Sequence, residues 1–530
     1  MAGTTLQTPY ATAMPYVASA SAGWSPDEYN RQRLLTYNFY DDLFHNDPTQ
    51  FKFMLRGSDE KPVLIPTASS LIKSLTRYVG KNWGFRIAMP EETDGTEPVD
   101  ETAEVATPEQ INQAIVEYGK LFKRERLEAR YAAGIPEWLR RGDWLWFVSA
   151  DPLKKEGSRI SVRPIDPRRY FPINGDARDL SRVTGQQLIE EVLLADGKTI
   201  AIFAQTWRKS SDPLHPNFGQ PETDEGFDIT YEAQAYDVKD FGDPLKEKKL
   251  AFDLNLPIAY VPGITQLPIY HIKNNEETDD PFGRSELAGL ESVLAGINQA
   301  ASDEDISLAF MGIGMYWTNS GAPVDERTGQ PGNWKLGPKR VVEVDENSTF
   351  AKVDGIDDVT PFQDHLKFLK GSASDNMGLS AVSIGTGEVT VASGISLAIQ
   401  FSPTADAVKG KNRASNGVLT QMLWDLKSWF KAFEGIDLGP VEIESVTDDD
   451  NLLPFDREGR FKEIVEGITA GIFTPEFAVK LMEEEFGYTF PADYLTKLAE
   501  VSAAKAAAAD PLGARVDAEM AATDEPTEES

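Results

Sequence analysis

Four histidines, His45, His215, His271 and His365, lie scattered along this 530-residue chain. No H-x-x-x-H pair occurs, so no helix offers two imidazoles to one metal ion. There is no cysteine, which excludes thiol nucleophiles, disulfide frameworks and Cys-based zinc sites. The phosphate-cradling G-x-x-x-x-G-K-[ST] word is missing, as are G-x-S-x-G, H-E-x-x-H and the EF-hand loop. Gly385-Thr386-Gly387 begins a G-x-G, but the third glycine and a strand–helix context are absent. Asp448-Asp449-Asp450 reads as a solvated turn rather than a cation site. Asn347-Ser348-Thr349 is a glycosylation sequon by pattern alone. With 85 acidic residues, chance supplies carboxylate pairs everywhere, so no glycosidase pair can be picked out. These absences predict no catalytic residue, no metal ligand and no cofactor. They describe a structural or binding protein rather than an enzyme.

The balance of 52 basic against 85 acidic residues gives a net charge of −33. Such a chain does not grip nucleic acid over a broad face, although nucleic acid could slide past it. The apolar share of 41% is enough for a folded interior, and the length predicts two to four compact units. No apolar run nears the roughly 18 residues that span a bilayer, and no signal peptide is visible.

The elements alternate in texture. A helix is expected after Ser25-Pro26, with Glu28 completing a capping box, and should run to about Phe44. Two more are expected at Thr67–Lys81 and Pro108–Ala132. From Asp143 to Lys273 short β-branched and aromatic runs alternate with turns, as in Trp144–Val148 and Ile269–Ile272. Their Trp and Tyr residues read as core. Ser285–Met311 is again helical, with Leu287, Leu290, Leu294 and Ile297 on one stripe and the acids Asp303, Glu304 and Asp305 on a solvated face. A Gly- and Pro-rich β insert follows, then a helix at Pro361–Met377 capped by Thr360. A mobile stretch, Ala381–Ala392, precedes a long helix, Gly394–Glu434. Pro403 should kink it, Leu419, Met422, Leu423, Leu426, Trp429, Phe430 and Phe433 form its apolar stripe, and Gly435 stops it. A strand and three short helices complete the chain, and no internal repeat is visible.

Several local words resemble the portal proteins of tailed bacteriophages. Leu267-Pro268-Ile269-Tyr270-His271-Ile272 is followed by Asp279-Asp280-Pro281-Phe282-Gly283-Arg284-Ser285-Glu286-Leu287. Val391-Ala392-Ser393-Gly394-Ile395-Ser396-Leu397-Ala398 comes later, and Ile165-Asp166-Pro167-Arg168-Arg169-Tyr170-Phe171-Pro172-Ile173 is similar to the family's wing. The resemblance covers roughly residues 25–510 and implies an α+β portal fold: a β-rich wing, a two-helix stem, a small β-containing clip, a long kinked helix and a helical crown. By topology it divides the chain into a flexible arm (1–25), a wing that is helical then β-rich (26–280), stem helix one (281–312) and a clip (313–360). Stem helix two (361–379), a tunnel loop (380–392), the kinked wing helix (393–439) and a wing strand (440–455) follow. Crown helices (456–508) and a disordered acidic tail (509–530) close the chain.

The resemblance further implies a homo-dodecameric ring at one capsid vertex, assembled in the host cytoplasm and carried in the virion. Double-stranded DNA would pass without sequence reading. Terminase large subunit, major capsid and scaffolding proteins, and a head–tail adaptor would be its partners, with no membrane. The DNA-facing loop residues would be Ser383, Gly385, Thr386, Gly387, Glu388 and Val389. Basic residues centring the duplex, or facing partners, would be Lys335, Lys339 and Arg340 in the clip and Lys367 and Lys370 in the stem. The rival readings are another virion structural protein, or an acidic hydrolase with no identifiable motif.

Overall fold

The computed structural model describes residues 28–51, 61–87, 106–174, 183–193, 200–218, 228–237, 256–261, 263–277, 280–313, 315–324, 329–332, 347–353, 358–381, 383–384, 394–448, 457–470, 472–486, 494 and 497–498. The chain divides into two bodies, Met1–Leu452 and Leu453–Ser530.

The larger body opens with helices α1 (Glu28–His45), α2 (Thr67–Thr76), α3 (Pro108–Glu125) and α4 (Leu127–Arg141), with strand β1 (Gly84–Ile87) between the second and third. Strands β2 (Asp143–Ala150), β3 (Ile160–Ile165) and β9 (Ile269–Lys273) form an antiparallel sheet in the order β3-β2-β9. A five-stranded antiparallel sheet joins β4 (Tyr170–Asn174), β5 (Val183–Leu193), β6 (Ile200–Lys209), β7 (Ile229–Asp237) and β8 (Leu256–Tyr260) in chain order. Chain neighbours therefore pair, as in a meander.

Strand β2 shows why the core sits where it does. Trp144, Leu145, Trp146 and Val148 are all buried. A strand without polar alternation has protein on both faces. The Trp83 ring stacks on Tyr131 at 4.6 Å, and Trp144 meets Trp146 at 5.2 Å. Trp144, Trp146, Tyr170, Trp207 and Tyr270 are core, as their type predicts, whereas Tyr260 stands exposed.

Several sequence expectations are corrected. The second helix stops at Thr76 rather than Lys81, and β1 then pairs antiparallel with β12 (Ile443–Val446). That strand occupies four residues of the 440–455 span. The expected single helix Pro108–Ala132 is two helices, because Arg126 adopts a left-handed backbone at φ 53° and breaks the ladder. Thr107 caps the first of them with a full capping box to Gln110. Ser25 and Pro26 lie outside the described residues.

Helix α5 runs Glu291–Ile313, so the helical path begins after Ser285–Leu290 rather than within it. Strands β10 (Met315–Thr318) and β11 (Phe350–Val353) pair antiparallel. Helix α6 spans Thr360–Asn376, so Thr360 is its first residue and not its cap; Val359 holds the cap position without a side-chain cap bond, and Asp358 Oδ1 just before it accepts the Thr360 amide at 2.8 Å. Helix α7 runs Gly394–Trp429 with Pro403 inside it and ends in a π turn, Phe430–Glu434. Gly435 caps that turn at φ 72°, the stop its position predicts. Leu419, Met422, Leu423, Leu426, Trp429 and Phe430 are buried, so this stripe is core.

In the smaller body α8 (Arg457–Thr469) and α9 (Pro475–Phe486) pack through Ile464 and Ala478. Thr474 caps α9 by accepting the Phe477 amide at 3.3 Å. Of the third expected helix, 491–508, only Tyr494, Lys497 and Leu498 are described, and they are helical.

Candidate functional site

The sequence points to the segment from β9 to the start of α7. Its first part is a joint. Asp143 is buried at the start of β2 and collects three donors: the Tyr37 hydroxyl at 2.5 Å, the Gly283 amide at 2.8 Å and His271 Nε2 at 2.6 Å. A buried carboxylate is tolerated when its lone pairs are taken in this way. Burial, and after it Asp143, push the Tyr37 phenol well above its ordinary value, so it stays a neutral donor.

The backbones at the joint touch. The Gly142 amide region meets Gly283, and a Cβ on Gly283 would lie 2.2 Å from the Gly142 carbonyl oxygen. The Asn274 amide donates to the Gly142 carbonyl at 2.8 Å, and the Glu286 amide donates to the Leu139 carbonyl at 2.8 Å. Beside them Arg33 is buried under the Phe282 ring at 4.1 Å and donates to the carbonyls of Pro167 and Tyr170. Asp41 is buried against Arg141 at 2.8 Å and Arg168 at 3.4 Å. Burial acts to raise the Asp166 carboxyl, but Arg141 and Arg168 outweigh it and hold Asp166 well below the usual carboxylate range. Asp143, Arg33, Asp41, Arg141, Asp166 and Arg168 all have partners, so the joint holds its elements together.

From this joint α5 and α6 form an arm. Ile297, Ala300, Ala301 and Leu366 pack together, with Val293 and Leu369 against them. The chain before α2 straps the arm's base: Val63 donates to Ser302 Oγ at 2.9 Å and Ile65 to Asn298 Oδ1 at 2.8 Å. Little of α6 is covered, since only Leu366, Ala373 and Ser374 are buried. Phe368 is 69% exposed and Leu308 45%. On the β10–β11 ribbon Tyr316 stacks on Phe350 at 5.5 Å, and Trp317 is half-exposed.

Lys367 and Lys370 both stand exposed on α6. Lys367 reaches only 3.8 Å from Asp364, and Lys370 has no ion pair among the described residues. Of the α5 acids, Asp303 accepts from Gln299 at 3.1 Å and Glu304 accepts from Gln363 at 3.3 Å.

Ser383 departs from the outward position expected of it. It is buried, and its hydroxyl donates to the Ser380 carbonyl at 2.7 Å. Thr404 of α7 fixes this turn, accepting the Ser380 amide at 2.9 Å and donating to the Gly378 carbonyl at 3.1 Å. The other loop residues, Gly385, Thr386, Gly387, Glu388 and Val389, lie outside the described residues, as do Lys335, Lys339 and Arg340.

Sequence reasoning missed a polar cleft of about 490 Å³ lined by Trp138, Asn274, Glu286, Asp406, Gly410 and Lys411, among others. Its members come from four separate stretches of chain, so no local pattern announces it. Among the described residues no group of three or more His, Asp or Glu side chains could hold a metal ion, and no helix is long and apolar enough to cross a membrane.

No family model matches the chain, and no curated protein does. Among the solved structures similar to it are three gene transfer agent assemblies. One is the neck of a native gene transfer agent particle computed with C12 symmetry, 12% identical at a TM-score of 0.40, covering 79% of this chain and 89% of that one. A second is the virion of a native gene transfer agent particle, 13% identical at 0.39, covering 90% and 99%. A third is the neck of an empty gene transfer agent particle computed with C6 symmetry, 14% identical at 0.43, covering 87% and 96%.

Proposed function

We propose that the chain is a portal protein, a head-to-tail connector whose copies close into a twelve-membered ring around a conduit for double-stranded DNA. The α5/α6 arm carries this reading. Two antiparallel helices joined beyond their tips by a β ribbon bury one seam and leave Phe368, Leu308 and Trp317 in the open. Large side chains exposed along an element are covered when copies assemble side by side. The portal words at Leu267–Ile272 and Asp279–Leu287 lead into this stretch, and the one at Val391–Ala398 follows it.

The electrostatics suit a conduit. DNA carries about one charge per 1.7 Å of axis, and each Lys or Arg contact to phosphate adds salt-dependent affinity. A passage that must move a genome needs few such contacts. A ring of chains each carrying −33 repels the duplex overall. Lys367 and Lys370, unneutralised by the α5 acids, would keep it centred without reading bases. In this reading the β10–β11 ribbon is the clip that meets terminase and later the tail adaptor. The sheets of the larger body face the capsid shell. Force would come from the ATP-driven terminase, because this sequence holds no nucleotide-binding word.

Negative-stain images of the purified full chain test the proposal. Rings with a central hole are the expected result. A population that stays monomeric at tens of micromolar, with folded circular-dichroism spectra, would overturn it.

A further inference from the structure

The smaller body buries little. Helices α8 and α9 are 13 and 12 residues long, a length at which a helix without packing is marginal in water. Among the described side chains of this body, the buried apolar ones are Ile464 and Ala478. Phe461, Ile468 and Leu498 are 43%, 39% and 38% exposed. With Val479, Met482 and Tyr494 they line an open groove of about 460 Å³, and none of its lining residues is charged. On α9 the lining positions Pro475, Ala478, Val479 and Met482 recur at i, i+3, i+4 and i+7, so one whole face of that helix borders the groove. Such a groove fits the apolar face of a further helix.

The sequence supplies a segment of that kind just downstream. Leu498 stands in the groove wall, and the chain continues to Ser530. Asp510-Pro511 is a helix start, a capping residue before a proline at the first helical position. Leu512, Val516 and Met520 follow at four-residue spacing, with Arg515, Asp517 and Glu519 between them, and Pro526 stops the pattern. Alone, a segment this short with Gly513 inside it does not hold a helix, which agrees with the disordered tail expected there. It orders when an apolar surface receives it. The tether from Leu498 to Leu512 spans at most roughly 45 Å, and α9 is only about 18 Å long, so the tail reaches the whole groove. So short a link holds it there at an effective concentration in the millimolar range, which favours the chain's own tail over a second copy.

We infer that residues 511–522 fold as a helix into this groove of their own chain, laying Leu512, Val516 and Met520 against Phe461, Met482 and Leu498. The acids beyond, Asp524, Glu525, Glu528 and Glu529, stay in water. This docking needs no ring, so it stands or falls apart from the conduit reading.

Hydrogen exchange on the full chain tests it. Leu512→Asp/Met520→Asp leaves every residue of α8 and α9 in place, yet should speed amide exchange in both helices about tenfold or more. Exchange in the larger body should not change. A fluorescent peptide of residues 510–522, at up to about 1 mM, should bind the chain truncated after Ala509 and be excluded from the full chain. Adding Leu498→Asp to the truncated chain should abolish that binding. Exchange in α8 and α9 equal to the parent's overturns the inference, as does a peptide that does not bind or that binds the Leu498→Asp chain equally well. Protection of α8 and α9 in the parent that falls on dilution would give the groove to a second copy and overturn it too.

Discussion

Asp42 shows how a single residue sets a condition on the whole fold. It is buried and accepts Gln50 Nε2 at 2.9 Å. Burial first, then the neighbouring Asp47 and Asp41 charges, raise its carboxyl to about 7. A carboxyl whose folded value lies above its unfolded one binds the proton more tightly when folded. Its stabilising contribution is fully present below the ordinary carboxylate range and is lost as pH rises through about 7. Asp42→Asn keeps the acceptor and removes the charge. Its stability should match the parent's near pH 3 and exceed it increasingly between about pH 4 and pH 8, by a gain on the order of 1 kcal/mol or more. Thermal melts across that range decide it, and parallel curves would show that Asp42 ionises freely. Nothing in the sequence marked this residue, because its environment depends on Gln50 and a turn whose geometry no propensity states. The pairing of Glu286 with Lys411 was hidden for the same reason: Lys411 lies 125 residues away.

At the scale of elements, local periodicity carried well and distant pairing did not. The α7 stripe from Leu419 to Phe430 and its Gly435 stop follow from spacing and φ preference alone. Strand β1 was invisible because Gly84–Ile87 is short and finds its partner, Ile443–Val446, at the far end of the body. The break between α3 and α4 was also hidden, since arginine is not a residue that announces a left-handed turn. The α5/α6 pair was legible as two helices about an insert, but not their strap from Val63 and Ile65. The joint at the arm's base yields a prediction of its own. Gly283→Ala would drive a methyl into the Gly142 carbonyl and the Asn274 backbone, with no flexible side chain to yield. The expected loss is about 3 kcal/mol or more, seen as a lower denaturant midpoint and the appearance of insoluble protein. An unchanged midpoint would mean the joint can spread.

For the whole molecule, the composition excluded more than it identified. Lack of cysteine and of nucleotide and metal words removed several enzyme classes before any element was placed, and the net charge of −33 argued against a grip on nucleic acid over a broad face. The proposed assembly then makes a claim about the loop outside the described residues. Deleting Gly385–Val389 leaves the Thr404–Ser380 turn and the helix pair untouched, so rings should still form. DNA packaging or genome retention should drop severalfold in particles built from the deletion variant. Normal full heads would remove the loop from the conduit.

The joint around Asp143 also has a mechanical meaning. With Gly142 and Gly283 in backbone contact and three donors locked on one carboxylate, the segment that leads into the arm is clamped to the β3-β2-β9 sheet. Between that clamp and α5 stands Gly289, at φ 87° with open space around it. A push on the β10–β11 tip would therefore meet its pivot there, and the strands beyond the clamp would keep their register.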